Sequence, residues 1–139
     1  YKRQGMDDTV KITKYAVIDL DQDDAPEIVL GITENDQSDC GFLVLRYENG
    51  GVVGYDFTYR QMIDLKKDGT FGYLYGVADT GYARLNFTDD SWEYIKICNV
   101  TETSDTVTFF CNGQEVSKEA YWEAVAEQDS KEEVEWLAY

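Results

Sequence analysis

The chain has 139 residues, with 28 acidic against 12 basic side chains, a formal charge of −16 and no histidine. This charge excludes a nucleic-acid surface, which needs cationic side chains, and it disfavours an anionic membrane surface. The absence of histidine excludes imidazole bases, serine–histidine and cysteine–histidine pairs, and histidine-ligated zinc. Hydrophobic residues make up 43% of the chain, so residues 1–139 are expected to fold as a single domain with a core of its own.

After a polar lead-in at residues 1–13, apolar and alternating runs predict about eight or nine strands. They lie at residues 14–20, 27–32, 41–47, 52–59, 61–66, 70–75, 82–87, 92–100 and 106–111. Residues 33–40 are predicted as a loop and residues 76–81 as a turn. The dipeptides Asn49-Gly50 and Asn112-Gly113 each follow an apolar run. Asn-Gly is a strong hairpin signal because both positions tolerate positive φ.

One helix is predicted at residues 117–128. Ser117 can cap it, and Glu119 lies near its positive end. Four apolar side chains are spaced for one buried stripe. They are Tyr121, Trp122, Val125 and Ala126.

The last segment, residues 134–139, is predicted as a strand. A short helix is the alternative, because residues 130–133 have the form of a capping box. Strands and helices do not alternate along the chain, so a parallel sheet is not expected. The predicted fold is mainly β, of the β-rich α+β kind. It is an antiparallel meander, either curled or split into two packed layers, with one C-terminal helix.

The sharpest local signal is an acidic loop between the first two predicted strands. Carboxylates occupy relative positions 1, 3, 5 and 9, and a backbone carbonyl at position 7 can join them. The candidate metal ligands are Asp19, Asp21, Asp23, Ala25 and Glu27. Ca²⁺ takes six to eight oxygen ligands at about 2.3–2.6 Å, so this set with added water would suffice. A divalent cation would also cancel the repulsion among these carboxylates.

This loop is not an EF-hand. Strands flank it instead of helices, Leu30 stands at position 12 in place of the bidentate glutamate, and Asp24 stands at position 6 in place of glycine. Aspartate nevertheless tolerates left-handed backbone geometry better than most residues. The alternative to a calcium site is a solvated acidic loop without metal.

The segment KYAVIDLDQDDAPEIVLGI, residues 14–32, carries a family resemblance. It resembles the Y-A-x-I-D-x-D-G-D-x-x-P-E-L-x-L segment of a group of uncharacterised secreted or lipid-anchored proteins from Firmicutes, notably gut clostridia. That segment is similar to the calcium loops of FG-GAP and VCBS repeats. Residues 68–82 and 112–121 fit the same group. The resemblance implies an extracellular or cell-surface location, a longer secreted precursor and calcium, but no activity.

The three cysteines allow a test of strand register. If residues 92–100 pair with residues 106–111 around a turn at Ser104 and Asp105, then Cys98 faces Cys111. Directly opposed cysteines on neighbouring strands are within reach of a disulfide. Two buried thiols are the alternative. Cys40 falls in a polar loop and is predicted to be unpaired; without a histidine partner it is not expected to be catalytic.

The sequence therefore predicts a non-enzymatic, secreted or cell-surface bacterial domain, stabilised by one structural calcium ion. A first alternative is a glycan- or peptide-binding module that uses exposed aromatic rings, although core packing also explains such rings. The tyrosines in predicted hairpins are Tyr55, Tyr59, Tyr73, Tyr75 and Tyr82. A second alternative is an acidic inhibitor or immunity-type protein that binds a basic partner. An acid-pair hydrolase would need two close carboxylates in one cleft, and no spacing singles out such a pair.

Overall fold

The computed structural model of the chain describes residues 10–34, 37–76 and 78–139. Residues 1–9 of the predicted lead-in at 1–13, and positions 35, 36 and 77, lie outside these residues. The described part forms ten strands and one helix. In chain order they are β1 (Val10–Ile18), β2 (Glu27–Glu34), β3 (Gln37–Glu48), β4 (Gly51–Thr58), β5 (Phe71–Tyr75), β6 (Asp79–Thr88), β7 (Ser91–Glu102), β8 (Val107–Cys111), β9 (Gln114–Val116), α1 (Lys118–Asp129) and β10 (Leu137–Ala138).

The strands form two five-stranded antiparallel sheets, in the orders β10-β1-β2-β3-β4 and β5-β6-β7-β8-β9. Neighbours in each sheet are consecutive in the chain, apart from β10, which returns to pair with β1. The prediction of a mainly β meander in two layers with one C-terminal helix is therefore confirmed. The helix begins after Ser117, whose Oγ accepts a hydrogen bond from the Ala120 N–H at 3.2 Å.

Two predicted asparagine–glycine turns are confirmed. Asn49 and Gly50 have φ of 50° and 81° between β3 and β4, and Asn112 and Gly113 have φ of 52° and 79° between β8 and β9. Positive φ at both central positions is the geometry that matches the twist of a two-residue hairpin. These turns fix the register of the strands that they join.

Two predicted boundaries are wrong, because β1 begins at Val10 inside the predicted lead-in and β6 begins at Asp79 inside the predicted turn at residues 76–81. Two further predictions assign the wrong kind of structure. Residues 61–66 are not a strand, because Asp64 has a φ of 51° and the segment makes only isolated bridges such as Ile63 to Gly72. Residues 33–40 are mostly strand instead of loop, since β2 continues to Glu34 and β3 begins at Gln37. There the pairing of two long neighbouring strands outweighs the low strand propensity of polar side chains.

The main core lies between the inner faces of the two sheets. Alternate residues of each strand point inward, and aromatic rings meet across the interface. Tyr55 contacts Phe87 with ring centroids 5.3 Å apart, and Phe57 contacts Trp92 at 4.8 Å. Further buried members are Ala16, Leu20, Val29, Val44, Met62, Phe71, Tyr73 and Leu85.

A second, smaller core lies under α1. Tyr121 and Val125 of the helix are buried against Cys98 of β7. The predicted four-residue stripe is wrong in part, because Trp122 is 54% exposed and Ala126 is also exposed. Residues four apart share one face of a helix, whereas the next residue along is rotated by about 100°. Within the described residues, no helix has the length and apolar character needed to cross a membrane.

Candidate metal centre

The acidic loop connects β1 to β2 and is shaped by its own carboxylates. The Asp19 carboxylate accepts hydrogen bonds from the backbone N–H groups of Asp23 at 3.1 Å and Asp24 at 2.9 Å. The Asp23 carboxylate accepts one from the Ala25 N–H at 2.9 Å. Gln22 and Asp24 have φ of 59° and 67°. Short polar side chains that bond to nearby backbone in this way hold a loop in a tight turn.

The loop also rests on a neighbouring turn. Gly69 has a φ of +88°, and a Cβ at this position would lie 2.9 Å from the Asp19 carbonyl oxygen. The Gln22 side-chain amide donates to the Asp68 carbonyl oxygen at 3.4 Å. The turn before β5 therefore supports the first residues of the acidic loop through contacts that require a glycine.

Three of the predicted ligands come together. Carboxylate oxygens of Asp19, Asp21 and Glu27 all lie within 4.8 Å of one another. Asp23 is not part of this cluster, and Ala25 is exposed. Exposed acidic groups often approach one another without a metal. The burial and hydrogen bonding of the cluster therefore decide whether it can hold a cation.

Glu27 is the first residue of β2 and points into the interior. It is 1% exposed, and its Oε2 accepts a hydrogen bond from the Leu20 N–H at 2.8 Å. Burial raises the pKa of Glu27 to about 7, against the opposing effect of the Leu20 hydrogen bond. A carboxylate in this position is costly to ionise unless a cation lies beside it.

Arg46 supplies one such cation, and the sequence prediction missed it. Its Nη1 lies 2.8 Å from Asp21 Oδ2 and 2.8 Å from Glu27 Oε1. Its Nε lies 3.2 Å from Glu48 Oε2, and its guanidinium carbon lies 4.5 Å from the centre of the Phe87 ring. Its Nη2 lies 3.5 Å from Asp23 Oδ2. Arg46 is therefore a half-buried cation held by four carboxylates and an aromatic face.

The position of Arg46 follows from strand register. Ile28 of β2 pairs with Leu45 of β3, so continuing this ladder by one residue places Glu27 beside Arg46. Along β3, Phe42 and Val44 point inward, and Arg46 is the next residue in this alternation. A basic residue in phase with core positions is the signal that could have identified it.

One guanidinium does not neutralise the site. Arg46 pairs within 3.5 Å with four carboxylates, which leaves an excess of three negative charges. Asp21 Oδ1 is buried and has no hydrogen-bond partner in the described part of the chain. Burial and the neighbouring Asp23 carboxylate raise the pKa of Asp21, although Arg46 opposes them. Asp21 Oδ1 is therefore a buried carboxylate oxygen that no donor of the described chain meets.

In calcium-free buffer, we expect the free energy of unfolding to fall as pH rises from about 4.5 to about 7. The folded state holds the Glu27 proton with a pKa of about 7, whereas the unfolded chain releases it near the ordinary value of 4.5. The folded state therefore binds more protons in this window, and stability falls by on the order of 1 kcal/mol per pH unit. The negative charges of Asp21 and Asp23 also raise the pKa of Glu27, whereas the positive charge of Arg46 lowers it.

Urea denaturation with chelator at each pH checks this slope. Glu27→Gln should flatten it, because the amide does not titrate. Glu123→Gln, on an exposed face of α1, should leave it unchanged. Equal slopes in the two variants would show that Glu27 is not the titrating group.

The predicted hairpin tyrosines divide between core and surface. Tyr55 and Tyr73 are buried, at 9% and 1% exposure, and Tyr82 is half-buried. Tyr59 and Tyr75 are 50% and 45% exposed. Two of the five tyrosine rings considered for glycan or peptide binding are therefore buried in the core and cannot contact such a ligand.

The cysteine register is confirmed. Cys98 pairs with Cys111 and Val100 with Phe109, as the assumed turn requires. All three cysteines are thiols in the structure. Cys40 lies in β3 and is half-buried, not in a polar loop as predicted.

Comparison of the chain with protein-family models, curated proteins and solved structures gives no match. The resemblance to the Firmicutes group stays a prediction, as do the glycan-binding and acidic-inhibitor alternatives. The geometry of the acidic loop is therefore the observation that bears on function.

Proposed function

We propose that this chain is a non-catalytic domain of the bacterial cell surface or exterior, and that its acidic loop binds one structural Ca²⁺ ion. The observation that carries the proposal is the Asp21 carboxylate. Its side chain is 9% exposed, and its Oδ1 is buried without a partner in the described chain. A buried, unsatisfied carboxylate oxygen costs free energy unless a cation or donor meets it.

The dimensions of the cluster suit calcium. Oxygens of Asp19, Asp21 and Glu27 lie within 4.8 Å of one another, which is about twice the ordinary Ca²⁺–oxygen distance of roughly 2.4 Å. One ion can therefore contact all three carboxylates. Water can complete the shell, since the loop is exposed at Asp23 and Asp24. Carboxylate oxygens already bonded to N–H groups keep a second lone pair for the metal.

Arg46 and calcium have separate places in this proposal. Arg46 bonds to Asp21 Oδ2 on the inner side of the loop, whereas Asp21 Oδ1 is left for the metal. Two further charges from the ion would reduce the excess of three negative charges around Arg46 to one. The metal would thus add to a neutralisation that Arg46 begins, and part of the negative charge of the loop would remain.

The role assigned to the metal is structural. The loop joins β1 to β2, and its carboxylates are held by backbone N–H groups of the same loop. A bound ion would cross-link the ends of the two strands. Extracellular calcium modules bind with Kd of about 10⁻⁴–10⁻³ M, and a partly exposed site with three carboxylates is expected in that range. Such affinity suits a surface or secreted location, where calcium is plentiful.

Isothermal titration calorimetry of chelator-treated protein with CaCl₂ at pH 8 tests the proposal. We expect one site with Kd of about 10⁻⁴–10⁻³ M. Asp21→Asn should weaken binding by about tenfold or more, because it removes a charged ligand. Asp105→Asn makes the same change in the exposed turn between β7 and β8 and should bind like the wild type. No heat of binding, or equal Kd for the two variants, would refute the site.

A further inference from the structure

The two opposed cysteines lie at a special position of the β7–β8 ladder. Cys98 is the direct partner of Cys111. The Asn112 N–H donates to the Ile97 carbonyl oxygen at 2.9 Å, one step outside the pair. In an antiparallel ladder this hydrogen bond flanks a pair that makes no backbone hydrogen bonds to each other. The Cα atoms of such pairs lie about 4.5 Å apart, the closer of the two spacings.

This spacing falls within the Cα range of about 4.4–6.8 Å that disulfides occupy. Side chains of directly opposed residues also point to the same face of the sheet. We propose that Cys98 and Cys111 are a site of oxidative modification and form an intramolecular disulfide when the protein meets a small disulfide oxidant such as oxidised glutathione. The bond would join two strands that are already in register, so no change of fold is needed.

The surroundings of the two thiols set the order of reaction. Cys98 is 0% exposed and is covered by Tyr121 and Val125 of α1, whereas Cys111 is half-buried and open to reagents. The Cys111 thiolate attacks one sulfur of oxidised glutathione and releases one glutathione thiolate, which leaves a mixed disulfide. Cys98 then loses its proton, attacks the Cys111 sulfur and releases the second glutathione. Two protein thiols are oxidised, and one oxidised glutathione becomes two reduced ones.

The second step is expected to limit the rate. Burial raises the pKa of Cys98 to about 11, and the thiolate is the reactive form. The closure should therefore become faster as pH rises from 7 to 9. The rate should rise further between pH 9 and pH 10, where an ordinary thiol with a pKa of about 8.5 is already mostly ionised, and this continued rise distinguishes attack by Cys98 from reaction of an exposed thiol.

The bond would strengthen the part of the second sheet that carries the helix. Phe109 of β8 and Tyr121 of α1 have ring centroids 5.1 Å apart, so β8 and α1 are packed as one unit. A disulfide here closes a loop of about 14 residues, for which the chain-entropy account predicts an increase in Tm of about 10 °C. The oxidising environment in which extracellular proteins fold would favour this form.

The test oxidises the folded wild-type protein with glutathione disulfide and maps the products by mass spectrometry of non-reduced peptides. We expect one linked peptide pair containing Cys98 and Cys111, and recovery of Cys40 in a separate, alkylated peptide. The Cys40→Ser variant, titrated under denaturing conditions, should change from two reactive thiols to none and gain about 10 °C in Tm. Cys111→Ser should gain nothing.

Three outcomes would overturn the proposal. The first is two thiols that remain in oxidised Cys40→Ser protein. The second is a glutathione adduct on Cys111 that never closes. The third is a linkage that includes Cys40. The expected linked peptide, obtained together with closure that is still faster at pH 10 than at pH 9, would support it.

Discussion

Replacing Arg46 with methionine is expected to lower the free energy of unfolding by about 3–5 kcal/mol in calcium-free buffer at pH 8. Arg46 is 17% exposed and is the cation beside Asp21 and Glu27, whose side chains are 9% and 2% exposed. Methionine keeps an unbranched side chain at this position but removes the guanidinium, whose carbon lies 4.5 Å from the centre of the Phe87 ring. At this pH the Glu27 carboxylate is ionised, since its pKa is about 7. The variant therefore leaves buried negative charges without their counter-ion.

Arg60→Met is the matched control for this prediction. Arg60 is exposed and contacts the Tyr59 ring and hydroxyl, so its loss should cost less than about 1 kcal/mol. Saturating calcium should recover part of the Arg46→Met deficit and none of the Arg60→Met effect, because the ion supplies charge next to Asp21. Urea denaturation measures both. Equal costs for the two variants would mean that the acidic loop does not depend on Arg46.

Calcium is expected to raise the Tm of the wild-type domain by about 10 °C when its concentration reaches about 100 times the Kd. At that ratio, binding to the folded state alone stabilises by about 2.7 kcal/mol, and each kcal/mol shifts Tm by about 4 °C in a chain of this length. Asp21→Asn should show two opposite changes. It should be at least as stable as the wild type in chelator, because one buried negative charge is gone. It should also lose most of the calcium response.

Screening of the −16 charge is a second way in which calcium could stabilise this protein. Magnesium at the same concentration controls for it, because Mg²⁺ screens equally but demands shorter, near-octahedral coordination. Asp105→Asn controls for the loss of one charge elsewhere. Differential scanning calorimetry gives the Tm values. An equal shift with magnesium, or an unchanged shift in Asp21→Asn, would assign the stabilisation to screening alone.

Much of the fold could be predicted because the signals are local. The turn at Asn49 and Gly50 fixes the register of β3 and β4, and one assumed turn was enough to pair Cys98 with Cys111. Asp19, Asp21 and Glu27, three of the five predicted ligands, lie together in the first loop. Each of these inferences needs only residues that are close in sequence or joined by one hairpin.

What the sequence did not reveal depends on contacts between distant segments. Arg46 meets Glu27 across 19 positions and Asp21 across 25, and only the pairing of β2 with β3 brings them together. Trp122 is exposed because α1 covers the sheet with a narrower face than an apolar stripe of four residues requires. Residues 61–66 do not form the predicted strand, because the backbone at Asp64 has a positive φ. None of these outcomes follows from local propensity.

The position of one calcium ion is the most direct test of this account. Crystals grown with CaCl₂ can be measured at a wavelength where calcium scatters anomalously. We expect one peak about 2.3–2.6 Å from carboxylate oxygens of Asp19, Asp21 and Glu27, with Arg46 still bound to Asp21 Oδ2 and no such peak in Asp21→Asn crystals. A loop without such a peak, in which a donor group of the protein bonds to Asp21 Oδ1 instead, would contradict the proposed calcium site.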